Sequence, residues 1–119
     1  MWSKTVGIML LILANGDVIA DNFIKPNGGL IFNQGEYEAE FSINASLGGD
    51  AVCNLEGIAL AVDPNQTQRS RWVFEDAGSQ CKAVISEHRD GSVKVTTKDC
   101  EGYCGVSAVG AMDGKYLKQ

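Results

Sequence analysis

The side chains with the most chemical reach are four cysteines, Cys53, Cys81, Cys100 and Cys104, and a single histidine, His88. Four thiolates can hold zinc, but such sites are usually built from two close Cys pairs, and only Cys100 and Cys104 are close here. An even number of cysteines in a short chain is better read as a disulfide framework. A Cys–His nucleophilic site needs a free thiol, which two disulfides would remove. A Ser–His–Asp site would have to use His88, and no Gly-x-Ser-x-Gly elbow accompanies it. His88 stands beside Arg89-Asp90-Gly91, turn chemistry that makes it a residue flanking an exposed hairpin tip. Glu36, Glu38 and Glu40 alternate along one stretch and would share a strand face about 7 Å apart. Carboxylate pairs at such spacing do acid–base work only when an apolar pocket pushes one pKa up, and an acidic face on a half-buried strand is ordinarily solvated. Asp63-Pro64-Asn65 lacks the ligand spacing of a calcium loop, and no glycine-rich phosphate loop occurs. The expectation is a protein that is not an enzyme and carries no cofactor and no metal.

What the cysteines become depends on the compartment. Lys4 precedes an uncharged apolar run, Thr5 to Ala14, which Asn15-Gly16-Asp17 breaks before Val18-Ile19-Ala20. This is the layout of a secretory signal, and the run is too short to span a bilayer, which takes about 20 apolar residues. The expected organisation is a signal peptide over 1–20, cleaved after Ala20, followed by one domain over 21–119. Export places the cysteines in an oxidising periplasmic or extracellular setting. The chain has 119 residues and a net charge of −5. That acidity argues against nucleic acid as a partner, which needs a basic face, and against docking on an anionic membrane.

The pairing can be read from a hairpin. Cys81 to Glu87 and Val93 to Thr97 look like strands, with Asp90-Gly91 between them as the signature of a two-residue type I′ turn. With that turn, Lys82 faces Asp99, Glu87 faces Lys94, and Cys81 faces Cys100. The expected disulfides are Cys81–Cys100 and Cys53–Cys104, and the alternative is Cys53–Cys81 with a small Cys100–Cys104 loop. In this register Cys81 falls on a hydrogen-bonded pair, an uncomfortable place for a cross-strand disulfide, which invites a bulge.

The elements that would position these residues are strands. Tyr37, Ala39, Phe41 and Ile43 alternate with polar residues at period two. Ile58 to Val62 reads as a buried strand, Trp72 to Phe74 as another, and Tyr116-Leu117 as a closing edge strand. Turn residues separate them every eight to twelve positions, and beyond the signal no stretch carries a helical apolar stripe. The fold expected is all-β: a small antiparallel meander, sandwich or barrel stapled by two disulfides. Its aromatic core candidates are Phe32, Tyr37, Phe41, Trp72 and Phe74.

The most distinctive stretch is Asp99 to Tyr116. Glu101-Gly102-Tyr103 is a loop clamped by a cysteine at each end, so it loses little entropy on binding, and a Tyr in it makes a good contact residue. A hairpin carrying one Cys, then Cys-x-x-x-Cys-Gly, then Gly-x-Tyr resembles the C-terminal part of small exported bacterial β-rich proteins of unassigned function. The resemblance covers Trp72 to Lys118 and brings no mechanism with it. In size, signal, disulfides and β content the chain is also similar in type to periplasmic lysozyme inhibitors, which plug the cleft of a peptidoglycan hydrolase. Their Ser-Gly-rich loop is matched only distantly, by Ala77-Gly78-Ser79-Gln80. These readings lead to an exported protein-binding module, an inhibitor of a basic lysozyme-like or other secreted hydrolase, with Glu101, Tyr103, Gly78 and Ser79 as contact residues. The competing expectations are a small-ligand-binding or structural envelope protein with Trp72 and Phe74 lining a cavity, and, behind it, a small hydrolase.

Overall fold

The computed structural model describes residues 20–119. The expected signal peptide lies outside the described residues except for Ala20, which opens the first strand. Eight antiparallel strands follow in sequence order: β1 (Ala20–Lys25), β2 (Gly28–Gln34), β3 (Glu38–Ser46), β4 (Val52–Val62), β5 (Gln68–Glu75), β6 (Lys82–His88), β7 (Val93–Lys98) and β8 (Gly114–Lys118). Each pairs with the next, and β8 pairs with both β7 and β1, so the meander closes into a barrel. Of the three expected all-β architectures, the barrel is the one formed. Tyr116-Leu117 therefore lies in the strand that seals the barrel, flanked on both sides, and not at an edge.

Period-two alternation sorts the side chains. Phe23, Leu30, Phe32, Phe41, Ile43, Leu55, Ile85, Val95 and Tyr116 are buried and point inward. Phe32 meets Trp72 edge to face with ring centroids 4.8 Å apart, and Phe41 meets Phe74 in the same way at 5.3 Å. Such pairs add about 0.5–1.5 kcal/mol beyond the burial of their area. Gly57 makes room for the second pair: a Cβ there would lie 2.5 Å from the Phe74 ring. Trp72 is buried inside the barrel, and Phe74 packs against the core from a partly buried position. Tyr37, expected in the core, is 76% exposed in the β2–β3 connection. Ile58 to Val62, expected as buried, belongs to an eleven-residue strand whose Ile58, Leu60 and Val62 point outward. A run of successive apolar residues carries no period-two signal, and only the neighbouring strands decide which half faces in.

The β6–β7 hairpin also departs from expectation. Its loop has three residues, Arg89 to Gly91: the His88 N–H donates to the Ser92 carbonyl at 2.8 Å, and the Gly91 N–H to the His88 carbonyl at 3.0 Å. Only Gly91 takes a left-handed conformation, at φ 90°, whereas a type I′ turn needs two such residues. Asp90 is held instead by its own carboxylate, which accepts from the Ser92 N–H at 2.9 Å and hydroxyl at 2.6 Å. The register therefore moves by one residue: Lys82 faces Lys98, Ser86 faces Lys94, and Glu87 faces Val93. The expected charge pairs are replaced by Lys82–Glu75 at 3.4 Å and Arg69–Glu87 at 3.5 Å. Past the end of β7, Asp99 takes a left-handed conformation (φ 58°), and this extra residue returns Cys100 to Cys81. The two disulfides are Cys81–Cys100 and Cys53–Cys104, and no cysteine is free.

Both disulfides sit at one end of the barrel, where β3, β5 and β7 finish and β4, β6 and β8 begin. The Gly- and Ala-rich segment between β7 and β8 folds across that end as two short 3-10 turns, Glu101–Tyr103 and Val106–Ala108. Ala108, Ala111 and Met112 are buried beneath it, and the Tyr116 hydroxyl donates to the Met112 carbonyl at 2.7 Å.

Candidate functional site

The stapled end gathers the residues that the sequence singled out for contact. The Glu101–Tyr103 turn is closed by the Tyr103 N–H on the Cys100 carbonyl and the Cys104 N–H on the Glu101 carbonyl, both at 3.0 Å. Cys104 forms a β-bridge with Cys53, and the Gly105 N–H donates to the Val52 carbonyl at 2.9 Å. Gly105 is required for that approach, because a Cβ there would lie 2.8 Å from the Ala51 side chain. The turn is thus fixed by covalent and backbone bonds together.

A second loop, Asp76 to Gln80, joins β5 to β6. Asp76 organises it as an Asx turn: one carboxylate oxygen accepts the Gly78 N–H at 3.0 Å and the other the Ser79 hydroxyl at 2.8 Å. The Ser79 oxygen accepts the Cys81 N–H at 3.1 Å, tying the loop to the disulfide. The Tyr103 hydroxyl also donates to the Asp76 carboxylate. That bond holds the Asp76 pKa below the usual carboxylate value, with help from the Gly78 N–H and the Ser79 hydroxyl, because all three stabilise the charged form. The same carboxylate pushes the Tyr103 phenol up.

Three of the four candidate residues are therefore brought into one hydrogen-bonded unit: Gly78 and Ser79 are exposed, and Tyr103 packs partly against the core. Glu101 lies on the same turn, exposed to solvent. The residue that joins the two loops, Asp76, was legible in the sequence only as the start of a turn. An Asp two residues before a Gly and three before a Ser marks an Asx turn, but nothing in the sequence ties it to Tyr103. A shallow groove of about 350 Å³ adjoins the loop, lined by Ser79, Gln80, Lys82, Lys98 and Asp99.

The remaining candidates are dispersed. His88 ends β6 at the opposite end of the barrel, and Glu38 and Glu40 point outward from β3. Among the described residues, no group of three or more His, Cys, Asp or Glu is placed to hold a metal ion, and no helix is long and apolar enough to cross a membrane. Two formed disulfides suit an oxidising, non-cytoplasmic compartment. Compared with known proteins, the chain matches no family model, no curated protein and no solved structure.

Proposed function

We propose that the chain is an exported protein-binding module that uses its stapled end as the contact face, in the manner of a periplasmic or secreted inhibitor of a basic, lysozyme-like hydrolase. The observation that supports this most directly is the union of the Glu101–Tyr103 turn and the Asp76–Gln80 loop through the Asp76 carboxylate. Surfaces ordered before they meet a partner lose less entropy on binding. This one carries an aromatic side chain beside exposed polar groups, the composition of a contact patch. Asp76, Asp99 and Glu101 lie here beside Lys82 and Lys98, so the face offers a basic partner carboxylates to pair with within a mixed-charge surface.

The test is inhibition of lysozymes of the c, g and i types by the purified protein, alongside Tyr103→Ala and a Gly78→Lys/Ser79→Lys double variant. Inhibition of at least one type, weakened tenfold or more by either variant while the β-sheet circular dichroism is retained, is expected. Absence of inhibition and of a salt-sensitive complex with every type would remove the reading.

A further inference from the structure

Charge is segregated around the barrel. Between Lys25 and Arg69 there is no Lys or Arg, whereas Glu36, Glu38, Glu40, Asp50, Glu56 and Asp63 all fall there. Those residues build β2, β3 and β4 and their connections. The cations are concentrated on the other wall: Arg69 and Arg71 on β5, Lys82 on β6, Lys94 and Lys98 on β7, Lys115 on β8. Exposed large apolar side chains occur elsewhere too, as Ile24 on β1, Leu117 on β8 and Val106 in the β7–β8 segment, but the acidic half carries its own group on β2 and β4. Ile31 on β2 and Ile58 and Leu60 on β4 are 50%, 49% and 60% exposed, and no comparably exposed apolar side chain lies on β5, β6 or β7.

The strand register turns these residues into one feature. Asn33, Glu40 and Ile58 form one outward row across β2, β3 and β4, and Ile31, Ser42 and Glu56 form the next. The small Ser42 lies between the two isoleucines, leaving an open groove of about 390 Å³ walled by Ile31 and Ile58 and rimmed by Glu40 and Glu56. The outer face of an antiparallel sheet is ordinarily polar. Isoleucines there remain exposed to water at a cost that burial against a partner would recover.

We propose that this groove on the outer wall of β2–β4 is a docking face for a basic protein, one that presents an apolar side chain flanked by Lys or Arg. Charge complementarity selects the occupant. The wall carries acids with no cation among them, so its field is not cancelled locally, and Glu40 and Glu56 stand where flanking cations would meet them. A second copy of this chain offers a poorer fit on the same wall, because Glu40 and Glu56 would face their own equivalents across it. This face is separate from the stapled end, and the inference does not depend on inhibition of a hydrolase.

The experiment is NMR shift mapping and calorimetry of the protein with two strongly basic probes, a c-type lysozyme and cytochrome c, at low and high salt. With at least one probe, shifts centred on Ile31, Ser42 and Ile58 are expected, together with tenfold or greater weakening at high salt. Glu40→Lys/Glu56→Lys should weaken binding at least tenfold, and Ile58→Ser should do so without altering charge. Lys94→Glu, on the opposite wall, should not weaken it. Shifts confined to the stapled end, with loss of binding in Tyr103→Ala but not in Glu40→Lys/Glu56→Lys, would overturn this inference and leave the proposed function intact. Binding that survives Tyr103→Ala and fails in Ile58→Ser would uphold the groove and count against the stapled end. No complex with either probe would overturn it.

Discussion

The Tyr103 hydroxyl donates to the carboxylate of Asp76, a residue 27 positions earlier in the chain, and so fastens the turn between Cys100 and Cys104 to the loop that enters β6. Asp76 is at once the hub of its own loop and the acceptor for its neighbour. Its pKa lies below the ordinary carboxylate value, with the Tyr103 hydroxyl as the largest cause. A group whose folded pKa is depressed contributes stability above its unfolded pKa, and loses it as pH falls through the folded value. Tyr103→Phe removes the donor, so the Asp76 midpoint should move upward toward the ordinary value. Carboxyl-carbon NMR titration reads this directly, and an unchanged midpoint would contradict the assigned bond.

The disulfides close loops of very different length, with sequence separations of 51 for Cys53–Cys104 and 19 for Cys81–Cys100. Chain-entropy arithmetic assigns about 4 kcal/mol to the longer and about 3 kcal/mol to the shorter. Cys53→Ala/Cys104→Ala should therefore destabilise more than Cys81→Ala/Cys100→Ala in urea unfolding. The reverse order would show that the hairpin disulfide also holds native packing that the longer one does not.

Gly57 tests how tightly the barrel is filled. Gly57→Ala drives a methyl group into the Phe74 ring, which packs edge-on against Phe41. Overpacking of this kind costs about 1–3 kcal/mol. Phe74→Leu in the same chain should recover part of the loss, because a smaller side chain vacates the contact. A Gly57→Ala variant as stable as the parent would mean that the interior is looser than these contacts imply.

The β6–β7 register has a direct readout. Cross-strand nuclear Overhauser effects should join Glu87 to Val93 and Lys82 to Lys98, and not Glu87 to Lys94. Gly91→Ala should cost about 1 kcal/mol, because an L side chain is strained at its φ of 90°. Effects between Glu87 and Lys94 would restore the two-residue turn.

Much of this architecture was readable from the chain itself. Alternation along Glu38–Ser46 marks a strand with one buried face, since side chains of a strand point alternately to either side. The hairpin around Gly91 brings Cys81 level with Asp99, and the left-handed Asp99 carries Cys100 the last step to Cys81, so the disulfides read from the sequence form although the register they were read from is off by one residue. Other features arise only when distant segments meet. Closure of β8 onto β1 depends on accumulated twist around eight strands, which no window of sequence contains. The orientation of Ile58, Leu60 and Val62 was undecided within their own apolar run, and pairing with β3 and β5 turned them to solvent. Asp76 and Tyr103 each satisfy local turn rules, and their bond exists because the barrel end sets the two turns side by side. Local pattern encodes what a few residues' periodicity and turn preference can express; closure, outward facing and loop-to-loop contact come from long-range packing, whose cost and gain are spread over the whole barrel.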